Sequence, residues 1–102
     1  MYDIQFKKNA GKELAKLSRK EQIEIAAILD SLKQDPKPPG HKQLNGFAEH
    51  PPIFRVYCAC GQHRIIYTLK ENRLLILVLK VGLRVGVYSD FARMMRGVKP
   101  LP

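Results

Sequence analysis

The sequence predicts an α+β fold in which two N-terminal helices lie on one face of a mostly antiparallel sheet. Apolar residues recur at helical spacing between residues 9 and 34, but they alternate with polar residues over 54–60 and 63–69. Between these halves, residues 35–46 contain three prolines and two glycines, a composition typical of a loop. The expected order is β-α-α-β-β-β, with room for one more brief strand before a C-terminal helix, in a single domain spanning residues 1–102.

The N-terminal half predicts one strand and two helices. Residues 2–6 alternate between apolar and polar side chains, as in a half-buried strand, and residues 9–17 have the apolar spacing of a short helix. Ser18 and Glu21 have the spacing of a capping box that begins a second helix. That helix should end by Gln34, because a proline follows two residues later.

The C-terminal half predicts a three-stranded meander over residues 54–60, 63–69 and 74–81, with tight turns at 61–62 and 71–72. The third strand is expected to place Leu79 and Val81 on one face and Val78 and Lys80 on the other. Beyond Gly82, residues 85–88 are expected to form a brief strand or extended segment. Ser89 is then expected to cap a last helix through residue 96.

The chain is strongly basic, with 18 Lys and Arg against nine Asp and Glu and a net charge of +9. Residues 51–102 carry nine basic and two acidic groups, whereas residues 1–50 carry nine and seven. A basic half beside a nearly neutral half favours a surface that binds a polyanion such as nucleic acid. There is no apolar leader at the N-terminus, so the chain is expected to be cytoplasmic and not associated with a membrane.

Two arginines stand out on the predicted sheet. Alternation places Arg55, Tyr57, Arg64 and Lys80 on the face away from the two helices. A hairpin can bring Arg55 and Arg64 within about 5–8 Å of each other. Two neighbouring guanidinium groups repel unless an anion lies between them, so the pair predicts a shared phosphate; solvated surface arginines are the alternative.

The stretch LNG...FRVYCACGQHRIIYTLKENRLLILVLKVGLRVGVY, from Leu44 to Tyr88, resembles the RelE toxins of the RelE/ParE superfamily. Residues 6–17 and the DPKPPG loop are similar to the same family, so the resemblance covers about ninety residues. It implies a ribosome-dependent endoribonuclease that cleaves mRNA in the A site, in which the ribose 2′-OH attacks the adjacent phosphate. It implies neither metal nor small-molecule cofactor, and it implies three partners, namely a cognate antitoxin, the ribosome and mRNA.

The resemblance also assigns roles to residues of this chain. Arg55 would assist the 2′-OH or neutralise charge, Arg64 would hold the scissile phosphate, and Arg84 would assist the leaving oxygen. Tyr88 would stack on a base and orient the nucleophile. The remaining positions assigned to RNA binding are Tyr57, Lys80, Lys42, Arg93 and Arg96.

Two departures from the family pattern keep other functions open. Tyr57 stands where many members have a second basic residue, and Leu83 stands where many have His or Lys. A ParE-like inhibitor of DNA gyrase shares the fold, and a decayed toxin that only binds its antitoxin is a third hypothesis. Cys58, Cys60 and His63 have the wrong spacing for a zinc finger, so Cys58 is expected to be a core residue. His63 alternates with Ile65 and Tyr67 and is therefore expected to be an edge or core residue.

Overall fold

One five-stranded sheet organises the protein, and each of its faces supports a separate apolar cluster. The structure, a computed structural model, describes residues 1–58 and 61–96. The sheet has the order β1-β5-β4-β3-β2, with β1 parallel to β5 and the other neighbours antiparallel, which confirms the predicted α+β fold. The elements are β1 (Asp3–Phe6), α1 (Lys8–Ala15), α2 (Arg19–Gln34), β2 (Lys42–Gln43), β3 (Ile53–Tyr57), β4 (His63–Lys70), β5 (Leu75–Leu83) and α3 (Val87–Met95).

Helices α1 and α2 cover the first face, as the apolar spacing predicts. The capping box is present: the Ser18 hydroxyl accepts from the Glu21 amide, and a Glu21 carboxylate oxygen accepts from the Ser18 amide. Helix α2 ends at Gln34, also as predicted. The cluster beneath the two helices joins residues from both helices and from β3, β4 and β5, among them Ile25, Leu29, Leu32, Val56, Ile65, Tyr67 and Val78.

Helix α3 covers part of the second face, the one that carries Arg55 and Arg64. Val87, Phe91 and Met95 of α3 are buried against Ile66 and Leu79 of the sheet. The expected strand over residues 85–88 is wrong, because Val87 and Tyr88 already belong to α3. The helix begins after Gly86 rather than at a Ser89 cap. Each turn of α3 has an apolar residue that packs on the sheet, and the lack of a side chain at Gly82 lets Val87 pack closely against β5. Both features favour a helix that begins at Val87.

The alternation along β5 is interrupted by an irregularity in its pairing with β4. Ile66 pairs with Lys80 but Tyr67 pairs with Val78, so Leu79 is an extra residue on the β5 side, as in a β-bulge. Beyond this point Val81 belongs to the first cluster, whereas Leu79 belongs to the second. The expectation that these two residues share a face is therefore wrong.

Two further boundaries differ from the prediction. Leu74 is not part of β5 but lies in a left-handed conformation with φ 48°, half exposed, at the end of a single 3-10 turn. Within the proline-rich loop, the two residues of β2 add a short edge strand beside β3. The additional short strand thus lies before the meander and not after it.

Strand β1 covers only the first half of one side of β5. Along the second half of that side, side chains of α1 bind the backbone of β5 in place of a strand. Strand β1 ends at Phe6, opposite Val78, and the Lys7 amide donates to the Val78 carbonyl. Beyond it, the Asn9 side-chain amide donates to the Leu79 carbonyl at 3.0 Å, and the Val81 amide donates to the Glu13 carboxylate at 3.2 Å. Within residues 1–58 and 61–96, no helix is long and apolar enough to cross a membrane.

Candidate nucleic-acid interface

The β3–β4 hairpin brings Arg55, Tyr57 and Arg64 into direct contact on the second face of the sheet. Tyr57 pairs with Arg64 across the hairpin, and Arg55 lies two residues earlier on the same side of β3. The guanidinium carbon of Arg55 lies 4.0 Å from the centroid of the Tyr57 ring, and that of Arg64 lies 3.7 Å from it. Two guanidinium groups this close to one centroid would overlap on the same side of the ring. The ring therefore lies between them, and we refer to these three side chains as the arginine–tyrosine stack.

Each arginine of the stack is anchored to a backbone carbonyl on its own side. Arg55 donates through Nη1 to the Gly40 carbonyl at 3.1 Å, in the loop before β2. Arg64 donates through Nη1 to the carbonyls of Gly61 at 2.9 Å and His63 at 3.2 Å, in and beside the hairpin turn. Gly61 has φ 75°, a conformation that favours glycine and turns the chain beneath Arg64.

The two arginines are buried, so the alternative that they are solvated surface arginines is wrong. Arg55 is 6% exposed and Arg64 is 7% exposed, whereas Tyr57 is 49% exposed. Arg64 Nε is buried without a hydrogen-bond partner. A buried donor without an acceptor costs about 1–3 kcal/mol, so an acceptor that reached Nε would be favoured. A phosphate oxygen is such an acceptor, since it pairs with the in-plane N–H groups of a guanidinium.

Arg84 and Tyr88 follow the β5 residue that pairs with Arg64: Arg84 lies between β5 and α3, and Tyr88 lies in the first turn of α3. Gly82 pairs with Arg64 in the sheet, and Val87, the first residue of α3, packs directly on Gly82. Arg84 is exposed in an open cleft of about 500 Å³ whose lining includes Gly61, Gln62, Leu83 and Val85. Tyr88 is partly exposed in the first turn of α3. Among the described residues, no hydrogen bond or ring contact joins Arg84 or Tyr88 to the stack.

The other residues assigned to RNA binding are placed differently. The Lys80 ammonium forms an ion pair with the Glu13 carboxylate and is largely buried against α1, so its charge is already compensated. Lys42 is exposed on β2 and pairs with Arg55 in register. Arg93 is exposed and lies 3.5 Å from Asp90, and Arg96 is exposed immediately after α3.

One contact that the sequence did not indicate connects α2 to the start of β4. His63 is 3% exposed, as expected for a core residue, and its Nε2 lies 3.3 Å from the Glu21 carboxylate. The hydrogen bonds of Glu21 to Ser18, first to its amide and then to its hydroxyl, lower the pKa of this carboxyl below its ordinary value of 4.5. Cys58 is buried, also as expected. Within the described residues no group of three His, Cys, Asp or Glu side chains could hold a metal ion, and the prediction for Cys60 lies outside those residues.

Solved toxin structures share this arrangement of strands and helices. The isolated E. coli RelE toxin aligns over 93% of this chain and 99% of its own, with a TM-score of 0.69 and 22% sequence identity. The chain has a RelE-like fold. This RelE-like chain also aligns with the archaeal RelE–RelB complex from Pyrococcus horikoshii, with a TM-score of 0.67 and 23% identity, over 83% of this chain and 97% of that one.

A third RelE-like structure is that of the intact E. coli RelBE toxin–antitoxin complex. It aligns over 80% of this chain and 95% of its own, with a TM-score of 0.69 and 22% identity. No family model matches the sequence, and no curated protein matches it significantly. The structural likeness therefore extends along most of the chain and shows a shared fold.

Proposed function

We propose that this chain is the toxin of a type II toxin–antitoxin system and acts as a ribosome-dependent endoribonuclease on mRNA. The observation that carries the proposal is the buried Arg64, whose Nε is left without an acceptor beside a second buried arginine. Such a pair is costly to bury unless it serves an anion. The basic C-terminal half supplies the wider electrostatic attraction for RNA.

In the proposed reaction the ribose 2′-oxygen attacks the adjacent phosphorus and forms a new P–O bond. The bond from phosphorus to the 5′-oxygen of the next nucleotide breaks, the 2′-hydroxyl loses its proton, and the departing 5′-oxygen gains one. The products are a 2′,3′-cyclic phosphate and a 5′-OH end. Arg64 stabilises the charge that develops on the phosphate, because a fixed donor aimed at developing charge lowers the barrier.

Arg84 and Tyr88 complete the proposed site from the β5–α3 segment. In this proposal the exposed Arg84 approaches the leaving oxygen, and the partly exposed ring of Tyr88 offers a surface for base stacking. Stacking accepts any base, so the position of the cut depends mainly on how the ribosome presents the mRNA.

The proposed partners follow from the same likeness. Two of the aligned structures are complexes of a RelE toxin with RelB, so we propose that a cognate antitoxin holds this chain inactive. The proposed substrate is translated mRNA, which places the activity in the cytoplasm.

The test is to induce the chain without its antitoxin and to map new 5′ ends on abundant mRNAs. Cuts at a fixed position within translated codons are expected, and they should disappear when translation initiation is blocked. Arg84→Ala should reduce the cuts at least tenfold while the protein stays folded, because an exposed arginine contributes little to stability.

Arg73→Gln is the matched control, since it removes an exposed arginine at the opposite end of β4 from Arg64. It should cut like the parent chain. Growth arrest with intact mRNA would overturn the nuclease proposal and redirect attention to gyrase, which is then assayed by supercoiling with purified enzyme. Soluble protein that causes neither arrest nor cuts would indicate a decayed toxin.

A further inference from the structure

The arginine–tyrosine stack places an aromatic ring where a shared phosphate would have to lie. A single phosphate can bridge two guanidinium groups only by occupying the space between them. In this structure the Tyr57 ring fills that space, at 4.0 Å from the Arg55 guanidinium carbon and 3.7 Å from that of Arg64. Beyond the edge of the ring, a phosphate is too far from at least one arginine to pair with both.

We infer that Tyr57 is a spacer that divides the two arginines into separate phosphate positions, which hold two successive phosphates of one RNA strand. Stacking uses the flat faces of both guanidinium groups and leaves in-plane N–H groups as phosphate donors. The Nη1 anchors to Gly40 and to Gly61 hold the two groups on opposite sides of the ring.

The charge of the stack supports two phosphates rather than one. The stack contains two permanent cations, and neither forms an ion pair with a carboxylate among the described residues. A diester phosphate carries a single negative charge, so one phosphate would leave one buried cation uncompensated. Two successive diester phosphates balance the stack.

The inference deepens the proposed function, since RNA as the ligand rests on it, and it assigns Tyr57 a positioning role. The Tyr57 ring is already covered by a guanidinium on each side, so it is not free to stack on a base. Its contribution is the spacing of the two cations. An RNA strand with two neighbouring phosphates should therefore bind more tightly than one with a single phosphate. The gain should exceed what a second phosphate held away from the stack would contribute.

The experiment uses the purified chain and two 2′-O-methyl oligonucleotides, which have no 2′-OH to react. One probe is a dinucleotide with a single phosphate and the other a trinucleotide with two, both of the same base and without terminal phosphates. NMR titration at several salt concentrations gives the salt dependence of each affinity. The slope of log K against log salt should be steeper for the trinucleotide than for the dinucleotide, because it makes one more phosphate contact.

Four variants separate spacing from general charge. Arg55→Gln should abolish the slope difference, and Tyr57→Ala should abolish it while tightening the dinucleotide several-fold, since both arginines can then reach one phosphate. Tyr57→Phe keeps the ring and should behave like the parent chain. Arg73→Gln, distant from the stack, should keep the slope difference as well. Each variant is first checked for the circular dichroism spectrum of the folded parent.

Equal slopes for the two probes in the parent chain, or no binding of either probe, would overturn the spacer. A Tyr57→Phe variant that behaves like Tyr57→Ala would do so too, because it would assign the effect to the hydroxyl. Fixed mRNA cuts together with equal slopes would contradict the spacer role of Tyr57 and leave the proposed nuclease activity in place. Intact mRNA together with the expected slope difference would contradict the proposed nuclease activity and support the two phosphate positions.

Discussion

Arg64 has two roles at the scale of the single residue, because the side chain proposed to hold phosphate is also part of the packed hairpin. Its Nη1 satisfies the carbonyls of Gly61 and His63, and its guanidinium stacks on Tyr57. An activity lost on substitution of Arg64 therefore does not by itself separate chemistry from folding. Arg84 is exposed, so its substitution can remove activity without a large effect on folding.

We expect Arg64→Ala to lower the free energy of unfolding by about 1–2 kcal/mol, because two hydrogen bonds and the packing of a buried stem are lost. Removal of the unpaired Nε offsets part of this cost. Arg84→Ala should change the free energy of unfolding by less than about 0.5 kcal/mol, as is usual for surface substitutions. Urea denaturation measures both, and equal stability of the two variants would contradict the burial described for Arg64.

Sequence periodicity predicted part of this site. Alternation along β3 and β4 placed Arg55, Tyr57 and Arg64 on one face, and the structure brings the three together. It gave no information on the burial of the arginines, which depends on the loop carbonyls of Gly40 and Gly61 and on the direction of a tyrosine ring. These are contacts between segments, and a period of two residues describes only one strand at a time.

At the scale of the element, the contact between β5 and α3 depends on a missing side chain. A Cβ at Gly82 would lie 2.8 Å from Val87 Cγ2 and 3.3 Å from Val87 Cβ, so Gly82→Ala must displace the Val87 side chain at the start of α3. We expect a loss of about 1–3 kcal/mol in the free energy of unfolding, typical of overpacking. In a double-mutant cycle Val87→Ala should recover part of that loss.

Gly11 provides the control for this substitution. A Cβ there would lie 3.9 Å from Phe6 Cβ, an ordinary contact, and Gly11 is inside α1. Gly11→Ala should therefore stabilise the chain by about 0.5–1 kcal/mol. A Gly82→Ala variant as stable as the parent would show that α3 does not rest on the sheet at this point.

The N-terminus of α2 should make stability depend on pH. Hydrogen bonds from Ser18 lower the pKa of Glu21 in the folded chain below its ordinary value of 4.5. The ionised carboxylate therefore stabilises the fold above pH 4.5, and this contribution is lost as the pH falls through the lower folded-state pKa. Glu21→Gln should be less stable than the parent at neutral pH, and the difference should shrink on acidification below pH 4.5.

Urea denaturation across that pH range measures the effect. The matched control is Glu24→Gln, which removes a carboxylate of the same helix outside the capping box. If the stability difference between the parent and the Glu21→Gln variant stays constant from neutral to acid pH, the link between the capping box and stability is contradicted.

The limits of sequence-based prediction are also visible at this scale. The capping box of α2 and the meander of β3, β4 and β5 were predicted because each depends on neighbouring residues. The extra residue at Leu79 was not, since a bulge follows from the pairing of two strands and leaves an unbroken apolar run in the sequence. The last helix was predicted to begin too late for a similar reason. The segment from Val85 to Tyr88 is too short for its apolar spacing to distinguish a strand from a helix.

At the scale of the whole molecule, α1 completes an edge of the sheet that β1 is too short to cover. Asn9 and Glu13 satisfy backbone groups of β5 beyond Val78. Glu13→Ala should release the Val81 amide and the Lys80 ammonium together, and an open strand edge can pair with another chain. We expect faster aggregation on heating, measured by light scattering. Glu24→Ala, on α2, should aggregate at the rate of the parent, and an unchanged rate for Glu13→Ala would contradict this role of α1.

The parallel pairing of β1 with β5 has a consequence for the order in which the chain can fold. Asp3 pairs with Leu75 and Phe6 with Val78, so the first strand has no partner until a segment about seventy residues further along the chain is available. Contacts between such distant segments close slowly, whereas the β3–β4 hairpin with its arginines is local and can form early. The N-terminal strand must therefore stay unpaired until β5 is available, and the pairing that joins the two ends of the fold closes the sheet last.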